Sequence, residues 1–393
     1  MKTCVLTESK SSFEFTCDSA LLSKAITKIV TVADFSKGSE DKSVCILASY
    51  KGALFVIGYS TETFSAFQVS DVKTNTDGSF QFTPKTLLGL IKNRSELKFK
   101  YDKGRLHFSA VKGKYSGDIA TSATPAEGIH VVNSKLKNEK HKSTTVTGAL
   151  LNTLRDAMKA CNLSNFYNSD PINCLIRAKD GKLDVSSFDN FHMSYYRATV
   201  PSESHFKMAI PINMFNLIDR FTATEGEDVE FVIGQKQFIA FGKTYIISLP
   251  PIQMDDNLYS QVPGYIKNLT KPAATLIFKE AGIKTVGNMF TISDENSKLM
   301  MKIGSGRVDI SLSNENGTVQ DAFKTEAKLD TKSGSLLALI DPRVFSDLFN
   351  KCSSSEVPMS FFQRTNKGKS SAFLVTNHTK TAKSYLVGTY SEE

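Results

Sequence analysis

Two hydrophobic periods alternate along this chain. Stretches with apolar residues at every second position predict half-buried strands, and stretches spaced i, i+3, i+4, i+7 predict amphipathic helices. A strand over Ser12–Cys17 leads to Asp18, an N-cap for a helix running to about Ala33. Its apolar stripe is Leu21, Leu22, Ala25, Ile26, Ile29 and Val32, and Lys24, Thr27, Lys28 and Thr31 share the opposite side. Strands follow at Val44–Ser49, Leu54–Tyr59 and Phe64–Val69. After a helix opened by Pro84, a hairpin (Leu97–Tyr101, Leu106–Ala110) turns at Asp102-Lys103-Gly104.

The pattern then repeats. Pro-x-x-Φ-x-x-Φ-Φ is filled by Pro84, Leu87, Leu90 and Ile91, by Pro211, Met214, Leu217 and Ile218, and by Pro342, Phe345, Leu348 and Phe349. The prolines stand 127 and 131 residues apart. A glycine hairpin at Gly52, Gly181 and Gly306 recurs at spacings of 129 and 125. Two signals in the same order, three times, imply internal repetition, and a period of about 130 residues is that of a small domain. The boundaries predicted are 1–130, 145–265 and 271–393, with a polar, lysine-dotted linker over 125–145.

In the second repeat a helix from Gly148 to about Cys161 carries Arg155 and Lys159 on its polar side. Strands are expected at Asn173–Arg177, Leu183–Ser187, Met193–Val200, Val229–Ile233, Gln237–Phe241 and Tyr245–Leu249, with Asn257–Tyr265 as a loop. In the third, a glycine-weakened helix is expected over Thr275–Val286 and strands at Met289–Ser293, Lys298–Ile303, Val308–Ser313, Met359–Gln363, Ala372–Thr376 and Ala382–Tyr390. Runs of antiparallel strands with two helices per repeat define an α+β class.

Composition narrows the function. The net charge is +8, distributed +7 over residues 1–142, −2 over 143–270 and +3 over 271–393. A basic bias admits a polyanion partner. No apolar run is long enough for a membrane span, and the N-terminus carries no secretory pattern. Six scattered cysteines without a CxxC pair argue against a disulfide framework or zinc site and for a reducing, cytoplasmic setting.

Catalytic constellations are poor. Gly242-Lys243-Thr244 resembles the tail of a phosphate loop, but Gln237 stands where its first glycine is needed and a strand follows instead of a helix. The six histidines form no metal-ligating pair, and His192, beside a bend, is read as a surface side chain. The expectation is a non-enzyme without cofactor or metal.

Local echoes give this arrangement a family likeness. Ile172-Asn173, Asp180-Gly181 and Asp189-Asn190-Phe191-His192-Met193 are similar to a Thr-Asp-Gly-His-Arg-Leu bend, and Tyr259-Ser260-Gln261-Val262-Pro263 to a Phe-Pro-Asp-Tyr-Arg-Arg-Val-Leu-Pro segment. Ser384-Tyr385-Leu386-Val387-Gly388 is similar to a Tyr-Val-Val-Met-Pro ending. With the threefold repeat, the chain resembles the bacterial-type DNA polymerase sliding clamp, the β subunit family, in a divergent, phage-like form. The resemblance implies three clamp domains, each with two helices lining an inner face and antiparallel sheets outside. It implies a head-to-tail homodimeric ring around double-stranded DNA, without sequence preference, that tethers the replicative polymerase and is opened by a clamp loader. Channel candidates are then Lys24, Lys28, Lys92, Arg155, Lys159, Arg220, Lys279, Lys284, Arg343 and Lys351. The family's pocket for partner peptides maps to Ile172, Phe188, Asn190, Met193, Val262, Leu386 and Val387. Departures from the family pattern include Asn190 for a glycine, Phe191 for a histidine, Gly388 for a late methionine, and the basic charge. That charge keeps open a monomeric, electrostatically DNA-bound polymerase accessory protein that forms no closed ring.

Overall fold

A computed structural model of the protein describes residues 12–35, 44–59, 63–122, 142–164, 173–189, 192–222, 227–234, 238–250, 256–294, 296–331, 334–351, 356–363, 371–379 and 381–390. The first elements are β1 (Phe13–Asp18), α1 (Ser19–Phe35), β2 (Val44–Tyr50), β3 (Ala53–Tyr59), β4 (Phe64–Val69), β5 (Gly78–Gln81), α2 (Pro84–Ile91), β6 (Glu96–Asp102), β7 (Arg105–Ala110) and β8 (Ser116–Ala120). Next come β9 (Lys142–Val146), α3 (Gly148–Cys161), β10 (Asn173–Lys179), β11 (Lys182–Phe188), β12 (His192–Thr199), β13 (Phe206–Pro211), α4 (Ile212–Thr222), β14 (Val229–Ile233), β15 (Phe238–Phe241) and β16 (Tyr245–Leu249). The remainder is α5 (Asp256–Asn268), β17 (Ala274–Phe278), α6 (Glu280–Phe290), β18 (Lys298–Gly304), β19 (Arg307–Asn314), β20 (Gly317–Lys324), β21 (Ala327–Leu329), β22 (Ser335–Ile340), α7 (Pro342–Asn350), β23 (Val357–Phe362), β24 (Ser371–His378) and β25 (Ala382–Tyr390).

Two of the three repeated turns have a backbone reason, while Gly306 in the third does not take positive φ. Lys51-Gly52 and Asp180-Gly181 take positive φ at both central residues, 49° and 77°, then 52° and 71°. That is the two-residue turn whose twist matches the flanking strands, and glycine enters this region without a Cβ penalty. Two of the three recurring prolines open helices, and the third stands one residue before one. Pro84 and Pro342 open α2 and α7, and Pro211 closes β13 immediately before α4. At α7 the Asp341 carboxylate accepts from the Arg343 backbone N–H at 2.8 Å, capping the helix.

The chain divides into two compact units, residues 1–151 with 216–253 and residues 152–215 with 254–393. The first holds a four-stranded sheet, β1-β6-β7-β8, and an eight-stranded sheet, β5-β2-β3-β4-β16-β15-β14-β9. Helix α1 packs on β3, β4 and α2. Its Leu22, Ile26 and Ile29 are fully buried and Val32 nearly so. At about 1.5–3 kcal/mol per buried aliphatic side chain, this stripe, not intrinsic propensity, fixes the helix. Aromatic rings of Phe13, Phe80 and Tyr101 join β1, β5 and β6, with Phe80 and Tyr101 stacked at 4.7 Å.

The second unit holds a nine-stranded sheet, β13-β10-β11-β12-β25-β24-β23-β17-β21, and a four-stranded sheet, β20-β19-β18-β22. Phe345 of α7 is fully buried, with its ring against Phe278, Phe290, Phe349 and Phe373. Phe373 leaves no room beside Gly388. A Cβ there would lie 2.4 Å from the Phe373 ring and 3.1 Å from Leu348 Cδ1. Gly388→Met should therefore overpack this core and destabilise the protein by about 1–3 kcal/mol, read as a lower calorimetric melting temperature.

Three expectations are corrected. The stretch read as a loop over Asn257–Tyr265 lies inside helix α5, with Pro263 in its interior. Its residues Tyr259, Val262 and Ile266 are spaced for one helical face, and the helix packs on β10, β11 and β12. Tertiary contact thus outweighs the missing proline donor. The helix expected over Thr275–Val286 is strand β17 followed by α6: Ala274, Leu276 and Phe278 alternate as buried positions, a period of two that the apolar run had hidden. The strand expected over Met289–Ser293 is the end of α6 and a turn.

Candidate functional site

In the first unit, Lys24 stands exposed on the polar side of α1. Lys28, one turn on, is half-buried, its ammonium 5.3 Å from the Phe67 ring centre and 5.2 Å from that of Phe221. Burial lowers its pKa, and Lys24 adds to the effect while Glu227 opposes it. Lys92 is exposed just beyond α2, at the C-cap. The side chain of Arg220 lies outside the described residues.

In the second unit, Lys159 is exposed in the last turn of α3, and Arg155 donates to Asn152 one turn back. Lys279 caps α6 and Lys284 projects from its solvent side, away from the buried Gly282, Val286 and Met289. Arg343 and Lys351 are already engaged. Arg343 pairs with Asp341 at 2.9 Å, and Lys351 Nζ with Asp347 at 2.5 Å. The channel candidates therefore fall into two kinds, exposed cations and cations committed to the fold.

The peptide-pocket candidates sort by strand alternation. Phe188, Met193 and Val387 form one cross-strand row on β11, β12 and β25, continued by Leu374 on β24. Val387 and Leu374 belong to a buried cluster with Phe362 and Ala372, against which Met193 and the α5 residues Tyr265 and Ile266 pack. Val262 of α5 is buried. Leu386 is buried too, but one residue from Val387 it points to the other face of the sheet, so it does not join this row. Ile172 and Asn190 lie outside the described residues. Between α5 and the sheet runs a cleft of about 880 Å³, lined among others by Arg177, Lys182, Tyr195, Tyr259, Lys267 and Lys383.

His192 corrects the sequence reading. It is a core residue, 1% exposed. Its Nδ1 meets Asp189 at 2.8 Å, and its Nε2 lies 3.5 Å from Asp347, an ion-pair distance. Asp347 also receives the Ser164 backbone N–H at 2.9 Å, the Ser164 hydroxyl at 2.7 Å and Lys351. Burial opposes the charge on His192, but the two carboxylates outweigh it and raise its pKa. Burial likewise opposes ionisation of Asp347, but His192, Lys351 and Ser164 together hold its carboxyl well below the usual range. The cluster ties β12 and Ser164, three residues beyond α3, to α7. Ser164 and Asp347 lie 183 residues apart, which is why no local signal announced it.

The sequence matches no protein-family profile and no curated protein. The fold does have solved relatives. The DNA polymerase III subunit beta from Pseudomonas aeruginosa superposes with a TM-score of 0.76 at 14% identity, over 97% of this chain and 100% of that one. The DNA polymerase sliding clamp from Bacillus subtilis gives 0.75 at 13% identity, over 98% and 100%. The DNA polymerase III beta chain from Streptococcus pneumoniae gives 0.75 at 12%, again over 98% and 100%. The chain therefore has the α+β fold of the DNA polymerase sliding clamps. Within that class, its likeness is to the beta subunit of DNA polymerase III.

Proposed function

We propose that this protein is a processivity clamp: two copies pair head to tail into a ring that encircles duplex DNA and tethers a replicative polymerase. The observation that carries the reading is the end-to-end likeness to solved clamps, with nearly all of both chains superposed. In this reading residues 1–130, 145–265 and 271–393 are the three tandem clamp domains. Exposed Lys24, Lys159 and Lys284 supply phosphate contacts that read no bases, as sliding requires. Half-exposed Phe188 and Met193, backed by buried Val262 and Val387, receive the apolar tails of partner proteins, and a loader opens the ring.

Ring closure needs sheet edges that can pair. Among the described residues, β8 and β20 are each bonded on one side only. The first five residues of β20 are exposed, including Val319 at 45%. An open, exposed edge of this kind invites another strand. Joining β8 of one copy to β20 of the next covers both.

Light scattering at micromolar concentration tests this. A mass near twice 43.3 kDa is expected, with Val319→Asp shifting the protein toward monomer. A wild-type monomer would instead favour the second reading, a monomeric electrostatic accessory protein, to which the net charge of +8 points.

A further inference from the structure

The sheet face beneath α5 changes character along its strands. At one end lies the apolar row of Phe188, Met193, Val387 and Leu374. Two positions further, Ser186, Tyr195, Tyr385 and Thr376 stand side by side. Two positions beyond that, the register lines up Lys207, Arg177, Asp184, Arg197, Lys383 and His378 across six strands. Alternation puts all three rows on the same face.

The charged row is unbalanced. Its one carboxylate, Asp184, is saturated by Arg197 at 2.6 and 3.0 Å and by the Tyr195 hydroxyl at 2.7 Å. Arg177 and Lys383 are exposed, and no carboxylate among the described residues lies within ion-pair distance of either. Arg177, Lys182, Arg197, Lys267 and Lys383 line the cleft, so five cations face a single, occupied anion.

We infer that this cleft holds the acidic part of a partner protein's extended tail, whose apolar anchor sits at the half-exposed end of the apolar row, on Phe188 and Met193. The inference rests on the peptide-pocket reading and deepens it. Met193 and Arg197 are four residues apart on one strand, about 13 Å at strand rise, so the tail carries its carboxylates about four extended residues from its anchor. A peptide suits the cleft better than a nucleic acid. The Tyr195 and Tyr385 rings stack on each other at 5.9 Å, Arg197 lies over Tyr195, and His378 abuts Tyr385 edge-on. Those ring faces are taken, which removes the stacking platforms that single strands use.

The test uses the full-length protein and synthetic peptides sharing a Leu-Leu-Phe anchor, with three aspartates or three asparagines four residues away, made in both chain directions. Fluorescence anisotropy should show the aspartate peptide binding about tenfold more tightly in low salt, three rim pairs at the usual worth of exposed ion pairs. High salt should erase that advantage. Arg177→Glu with Lys383→Glu should erase it too while leaving the asparagine peptide unaffected, and both positions are exposed enough for the fold to tolerate the change. Equal binding of both peptides, lost in Met193→Asp, would overturn the acidic-tail inference and leave the apolar pocket standing. Binding of neither peptide would overturn both. An oligothymidine that binds and is released by the double variant would assign the cleft to nucleic acid and overturn the inference.

Discussion

Asp347→Ala should lower the free energy of unfolding by about 3–5 kcal/mol, the cost of stranding buried charge when one partner of a buried pair is removed. The substitution leaves His192 and Lys351, 0% and 14% exposed in their side chains, without their shared carboxylate. The pH dependence carries a sign that simple loss of packing lacks. The folded pKa of Asp347 is depressed below 3.8, so its contribution is present above that value and is lost as pH falls through the folded pKa. The folded pKa of His192 is raised above 6.5, so its contribution is complete below 6.5 and is lost as pH rises through the folded value. Wild-type stability from this cluster should be greatest between about pH 4 and 6.5 and decline on the alkaline side. His192→Asn should flatten that decline. Calorimetric melts across pH 5 to 9 check both statements, and an unchanged alkaline slope in His192→Asn would contradict the account.

Lys24→Glu, Lys159→Glu and Lys284→Glu combined should weaken binding to duplex DNA by about a hundredfold near physiological salt and reduce the log–log salt slope by about three, one counterion per lost contact. All three side chains are exposed, so the fold should tolerate the changes. Arg343→Gln should behave differently. Its guanidinium is already held by Asp341, so the expected result is a small stability loss and an almost unchanged salt slope. Titrations at several salt concentrations separate the two classes, and equal slopes for both would refute the division between exposed and committed cations.

Much of the fold was legible because its signals are local. The Asp180-Gly181 and Lys51-Gly52 turns follow from φ alone, and the α1 stripe from helical spacing. What failed depended on partners distant in sequence. Helix α5 carries a proline and looks like a loop until the sheet beneath it is present. Strand β17 is decided by pairing with β23 and β21. The candidate site divides in the same way. Cationic helix positions could be read from the sequence, and the pairs Arg343–Asp341 and Lys351–Asp347 are as local, two and four residues apart, but the seating of Lys28 against the Phe67 and Phe221 rings could not. Nor could the charged row from Lys207 to His378, which exists only once six strands are in register.

The proposed function is topological: a ring of two copies would hold DNA by surrounding it. Protein placed on nicked circular duplex by reversible opening of the proposed ring should stay bound through a high-salt wash and leave within seconds once the circle is cut to a linear form with free ends. Loss of the protein from intact circles at the same salt, or equal retention on circles and linear DNA, would contradict it.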